Sequence, residues 1–180
     1  MIINRVWSMP NKNTFDITPI GKLVKRYLRV SSVSIDPFAR NKEWATFTND
    51  LNTDTKAEYH LDVYDFLLLM KKKKICPDLI IFDPPYSPRQ VKECYDSIGL
   101  DMGIEGGQRT HWAKERDLIN EITSVGAICL SFGWNSSGMG KTRGWETLEI
   151  LLVCHGAGHN DTICKVEKKI AHQSKLWRHE

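Results

Sequence analysis

Apolar and polar positions alternate along this chain in two rhythms, and the rhythms take turns. Short apolar runs bounded by turn residues predict strands at VSSVSID (30–36), WATFTND (44–50), EYHLD (58–62) and LIIFD (79–83). GAICLSFGW (126–134), ETLEILLVCH (146–155) and TICKVEKKI (162–170) predict three more. The last two read as a closing strand pair joined by the glycine-containing hairpin loop GAGHND. Between them lie helix-like stretches. Thr18-Pro19 resembles a helix start with IGKLVKRYL behind it, and VYDFLLLM follows the third strand. Pro88 opens PRQVKECYDSI. HWAKERDLINEITSV (111–125) carries helical spacing at Trp112, Leu118, Ile119 and Ile122. GLDMGIEGGQRT (99–110) is glycine-rich and reads as a loop. Strands alternating with helices define an α/β fold with a mostly parallel sheet.

Composition narrows this modestly. The 180 residues suit one domain (1–180), and 41% hydrophobic residues can build one core. Lys and Arg number 25 against 22 Asp and Glu, a formal charge of +3, which permits a nucleic-acid partner without demanding one. The opening MIINRVWSMP is too polar and short for a signal peptide, and no run approaches a membrane span, so no membrane partner is expected. Five cysteines with no CxxC pair suit a reduced, cytoplasmic chain. Cys154, His155, His159 and Cys164 lie close in sequence but match no metal spacing, and no metal site is assigned; the two cysteines are expected to pack as small apolar residues. Trp7, Trp44, Trp112, Trp145 and Trp177 are read as core or rim. KKKK (71–74) reads as a solvated helix end, with phosphate binding as the alternative.

The chemistry concentrates at strand ends. In open α/β sheets, ligands bind outside the carboxyl ends of the parallel strands. Four consecutive strands end on aspartate: Asp36, Asp50, Asp62 and Asp83. A single such Asp is commonly a turn or helix cap; four together mark an edge. An acidic residue after the second strand is where nucleotide-type folds hold ribose, so Asp50 is the candidate ribose ligand. After the fourth strand stand Pro84, Pro85 and Tyr86, and the prolines must end the strand because neither donates a ladder hydrogen bond.

DPPY after an apolar strand resembles the catalytic motif of the amino-group DNA methyltransferases, chiefly adenine-N6 enzymes using S-adenosylmethionine (SAM). DPFA (36–39) resembles the start of their cofactor motif. NDLN (49–52) and HLD (60–62) fall where ribose and adenine contacts would lie, and SMPNKNTFDITPI (8–20) where an N-terminal cofactor segment would. SFGWNSSGMGK and the CHGAGHNDTICKVEKK ending resemble small phage-type members. The resemblance implies a Rossmann-like sheet of order 3-2-1-4-5-7-6 with strand seven antiparallel and helices on both faces. It implies cofactor contacts from Pro10, Phe15, Asp36, Phe38, Asp50, Leu51, Asp62 and Val63. It implies a catalytic set of Asp83, Pro84, Pro85 and Tyr86: the Asp83 side chain and the Pro84 carbonyl accept the two N–H bonds of the amine, and Tyr86 stacks on a base taken out of its duplex. Ser87, Arg89, Trp134, Asn135, Lys141, Arg143, His155 and His159 are the expected substrate contacts, with the 134–143 and 155–161 loops flanking the base.

The resemblance implies DNA as partner and a bacterial or phage-infected cytoplasm as setting. The chain departs from it twice. Members carry glycines after DPF in a pattern near FxGxG, and DPFARNKEW has none. Nor is there room for a large target-recognition domain, so site reading falls to loops, a homodimer partner or a separate subunit. Related readings are transfer to cytosine N4, RNA adenine or glutamine, or a non-catalytic module of the same fold.

Overall fold

The computed structural model describes residues 1–99, 112–156 and 158–171. Seven strands form one sheet: β1 (Ile2–Trp7), β2 (Ser34–Asp36), β3 (Phe47–Thr48), β4 (Leu79–Phe82), β5 (Ile128–Gly133), β6 (Trp145–Cys154) and β7 (Thr162–Lys169). Helices α1 (Thr18–Leu28), α2 (Val63–Lys72), α3 (Pro88–Asp96) and α4 (Ala113–Ile122) connect them, with single 3₁₀ turns at Thr14–Asp16 and Lys141–Arg143. The sheet order is β1-β6-β7-β5-β4-β2-β3. β7 runs antiparallel to β5 and β6, and every other pairing is parallel. The carboxyl ends of β2 to β6 therefore open on one edge.

β4 shows why the sheet sits between two layers. Its four residues are all buried. Leu79 and Ile81 face a core with Ile20, Leu23 and Val24 of α1; Ile80 and Phe82 face a second core with Phe66, Leu67 and Met70 of α2 and Ile119 of α4. Successive strand side chains point to opposite faces, so a continuous apolar run is what a doubly covered strand requires. Gly21 brings α1 close: a Cβ there would lie 2.6 Å from the Phe15 carbonyl oxygen. Lys169 is buried at the other end of the sheet. Its ammonium donates to the carbonyls of Asn120 (2.5 Å) and Thr123 (2.8 Å), satisfying the C-terminal end of α4.

The sheet departs from expectation at both edges. The segment 58–62 contributes one bridge, Asn49 to Tyr59, instead of a strand. Asn49 explains this: its side chain bonds the backbone of Pro37 and Leu61 (3.0–3.1 Å) and so replaces ladder bonds with side-chain ones. The 44–50 segment shortens to Phe47–Thr48; before it, Ser34 and Thr46 pair through side-chain hydroxyls, Ser34 N donating to the Thr46 hydroxyl (3.1 Å) and Thr46 N to the Ser34 hydroxyl (3.0 Å). At the opposite edge β1 adds an unforeseen parallel strand beside β6. It lies mostly exposed, with Ile2 at 61% and Trp7 at 66%, and so carries no alternation signal. Trp7 stands exposed at this edge, whereas Trp112 and Trp145 are core. Among the described residues no helix is long and apolar enough to cross a membrane.

Candidate functional site

β4 ends at Phe82, and Asp83-Pro84-Pro85-Tyr86 follows at the carboxyl edge. Ser87 then caps α3, its hydroxyl accepting from Gln90 N (3.2 Å), with Pro88 in the first turn. The motif is therefore clamped between a buried strand and a capped helix. It forms one wall of a cleft of about 620 Å³. Phe38 and Arg40, from the loop after β2, and Asp50, Leu51 and Asn52, from the turn after β3, line it; so do Lys12, Asn13 and Thr14. A smaller cavity of about 230 Å³ adjoins it, lined by Thr14, Phe15, Asp16, Arg40, Lys42 and Asp83 among others.

The Tyr86 hydroxyl donates to the Asp83 carboxylate. Burial pushes the Asp83 carboxyl up to about 6, against bonds from Tyr86 and Thr14 and the charge of Arg40, all of which pull it down. Burial, then the Asp83 charge, drives the Tyr86 phenol well above its ordinary range. The Tyr86 ring meets Trp134 edge to face, centroids 5.7 Å apart, and Trp134 is 40% exposed. The end of β5 is thereby joined to the motif.

The four strand-end aspartates part ways. Asp50 and Asp83 line the cleft. Asp50 also builds it: its carboxylate accepts from Asn52 N (2.9 Å) and Arg40 N (3.0 Å), tying the loops after β2 and β3 together. Asp36 is buried behind the wall, accepting from Phe38 N, and its carboxyl is raised well above the usual range, chiefly by burial. Asp62 lies in the lining of neither cavity; it caps α2, accepting from Tyr64 N (3.0 Å), and accepts from the Tyr95 hydroxyl (2.9 Å). Val63 is packed in the core. Phe38 lines the cleft and braces Phe82 and Trp112 edge to face. Phe15 reaches the smaller cavity, and Pro10 reaches neither.

The expected substrate residues also scatter. Arg89 pairs with Glu93 (2.7 Å) on the exposed side of α3. Arg143 pairs with Asp117 (2.6 Å) and donates to the Met139 carbonyl. His155 is a correction. It is buried, and its two ring nitrogens meet the Ser8 carbonyl and the Thr162 hydroxyl, each at 2.9 Å, so the ring fastens the end of β1 to β7. Asn135 accepts from Ser137 N (2.9 Å) within its own loop, and Lys141 and His159 are exposed. Glu167 anchors that loop: its carboxylate accepts from Met139 N (2.7 Å) and Gly140 N (3.1 Å). Cys164 is fully buried, and Cys154 accepts from Arg5 Nε (3.1 Å). Among the described residues no group of three His, Cys, Asp or Glu could hold a metal ion. Leu100 to Thr110, with Arg109, as well as His111 and Trp177, lie outside the described residues.

Sequence reasoning brought the 8–20 segment to the site without singling out Lys12 or Thr14, and it missed Arg40 and the α3 face of Gln90, Glu93 and Cys94, all of which line the cleft. Arg40 had a signal. It stands where FxGxG would place its first glycine, and its backbone is left-handed, φ 51°. The turn keeps the glycine conformation without the glycine.

No protein-family model matches the sequence, and none of the curated proteins does. Solved structures do match in shape. The chain is similar to TrmN from Thermus thermophilus (TM-score 0.55, 11% identity, 86% of this chain and 49% of that one). It is similar to a Streptococcus mutans protein described as a SAM-dependent methyltransferase (0.51, 15%, 81% and 48%). It is also similar to the N-methyltransferase NodS from Bradyrhizobium japonicum WM9 (0.51, 8%, 86% and 98%). The chain spans about half the length of the first two. The chain shares the Rossmann-like α/β fold of these structures.

Proposed function

We propose that this chain is a SAM-dependent methyltransferase that methylates an exocyclic amine, the N6 amine of adenine in DNA. The observation that carries the reading is the placement of Asp83-Pro84-Pro85-Tyr86 on the wall of a cleft at the carboxyl edge of the sheet, with Asp50 on the same cleft.

The cleft fits the cofactor in size and in its groups. A nucleoside with an amino-acid tail suits the volume, Asp50 offers an acceptor for ribose hydroxyls, and Phe38 and Leu51 offer apolar contact. SAM supplies a methyl group already activated on a sulfonium. The chain's own residues do the rest. An aromatic amine is a poor nucleophile because its lone pair is delocalised into the ring. Asp83 and the Pro84 carbonyl accept its two N–H bonds and hold the nitrogen nearer tetrahedral. Each proline fixes φ, so the turn needs little reorganisation. The Tyr86 hydroxyl now occupies Asp83 as an N–H donor would; it gives way when the amine arrives, and the ring stacks on the base beside Trp134. The methylated nitrogen must shed a proton, and Asp83, with its carboxyl near 6, is placed to accept it.

Incubation with labelled SAM and separate DNA, RNA and protein, followed by identification of the modified nucleoside or residue, tests this. N6-methyladenine from DNA is expected. Label in RNA, cytosine or glutamine reassigns the acceptor, and absence of label from all three refutes methyl transfer.

A further inference from the structure

Arg40 combines three features that the reading above does not use. Its backbone is left-handed, a costly conformation for a residue with a Cβ. Asp50 holds it there by accepting from Arg40 N (3.0 Å). Its side chain crosses to the N-terminal segment, where Nη1 donates to the Lys12 carbonyl (2.9 Å). Arg40 thus borders both cavities beside Asp83. Burial raises both the Asp83 carboxyl and the Cys94 thiol, and the nearby charge of Arg40 opposes that rise at each. The larger cleft is otherwise rich in acid: Asp50, Asp54, Asp83 and Glu93 line it, against Lys12 and Arg40 as the cations.

A nucleoside sulfonium with an amino-acid tail has three charged groups. The sulfonium and the ammonium suit acidic walls. The carboxylate needs a cation. With ribose on Asp50 and the reacting sulfur near Asp83, the tail continues past Asp83 towards the 12–14 segment, where Arg40 reaches. A guanidinium offers five donors in a planar fork that matches a carboxylate, and the Lys12 carbonyl takes one of them.

We infer that Arg40 binds the amino-acid carboxylate of the cofactor, so that a side-chain cation takes over cofactor grip from the glycine backbone expected at this turn. The inference rests on the cofactor reading above.

Titration calorimetry with two ligands separates the possibilities: S-adenosylhomocysteine, which has the carboxylate, and 5′-methylthioadenosine, which lacks the amino-acid tail. Arg40→Ala should weaken S-adenosylhomocysteine about ten- to hundredfold, the scale of a charge-assisted pair. It should leave methylthioadenosine within about twofold. Arg40→Gly restores the residue the backbone favours, so its melting temperature should hold or rise while the same selective loss remains. Equal weakening of both ligands, or undiminished S-adenosylhomocysteine binding in Arg40→Gly, would overturn the assignment and leave the cofactor reading standing. A wild-type protein that binds neither ligand would overturn both.

Discussion

At the residue scale, Asp83 carries contradictory demands. It must be ionised to accept an N–H, yet burial raises its carboxyl to about 6. A carboxyl raised in the folded state contributes stability when protonated and loses it as pH rises through that value. Asp83→Asn is therefore expected to stabilise the fold by about 1–3 kcal/mol near pH 8, with the gain shrinking on acidification and gone below about pH 4, where the wild-type group is protonated folded or unfolded. Chemical denaturation across pH measures this; a gain independent of pH would reject the burial argument. The same ionisation gives the acid limb of the rate profile. Methylation should fall as pH drops through about 6, and Asp83→Ala should abolish it while SAM affinity stays within about tenfold. Asp50→Ala should instead weaken SAM by about 1.5–3 kcal/mol. It should also cost stability, since Asp50 holds Arg40 N and Asn52 N, which a paired melting curve would register.

At the element scale, two buried side chains on β7 hold elements that the hydrophobic pattern cannot place. Lys169 closes the end of α4, and its removal takes the charged donor from the buried carbonyls of Asn120 and Thr123. Lys169→Ala should destabilise the protein by about 2–4 kcal/mol, against under 1 for exposed Lys168→Ala, read from urea midpoints. Glu167 fixes the loop after β5. Gly138 packs against it so closely that a Cβ would lie 2.0 Å from its carboxylate. This bears on nucleic-acid contact. Arg143 is tied to Asp117, while Lys141 stands exposed beside it. Of the two, Lys141→Ala should do more to DNA affinity, flattening its salt dependence by about one unit without altering SAM binding. An unchanged slope would place the phosphate contacts elsewhere.

At the scale of the whole molecule, the carboxyl edge of a mostly parallel sheet gathers loops after β2, β3 and β4 around one cleft, and the N-terminal segment closes its side. The lining runs in sequence from Lys12 to Ser97, so a ligand that spans it should couple to global stability. S-adenosylhomocysteine at about a hundred times its dissociation constant should add roughly 2.7 kcal/mol to unfolding. Thermal melts that do not respond to the ligand would show that the cleft does not take it.

The sequence by itself determined the repeating strand–helix rhythm, the doubly buried β4 and the rigid turn that follows it. These are local properties. Four apolar residues followed by Asp and two prolines leave the backbone few choices. Tertiary structure decided which strand-end aspartates share a cleft. Asp36 and Asp62 have the same local pattern as Asp50 and Asp83, but one is buried behind Phe38 and the other is spent capping α2. It decided that His155 is a buried fastening, because both its partners, Ser8 and Thr162, come from other segments of the chain. It placed β1 on the sheet edge, where exposure erases the hydrophobic alternation that a sequence can display. And it gave Arg40 its left-handed turn, since Asp50, ten positions on, accepts from its N–H and Lys42 N closes the turn onto the Ala39 carbonyl, where glycine would have gone freely.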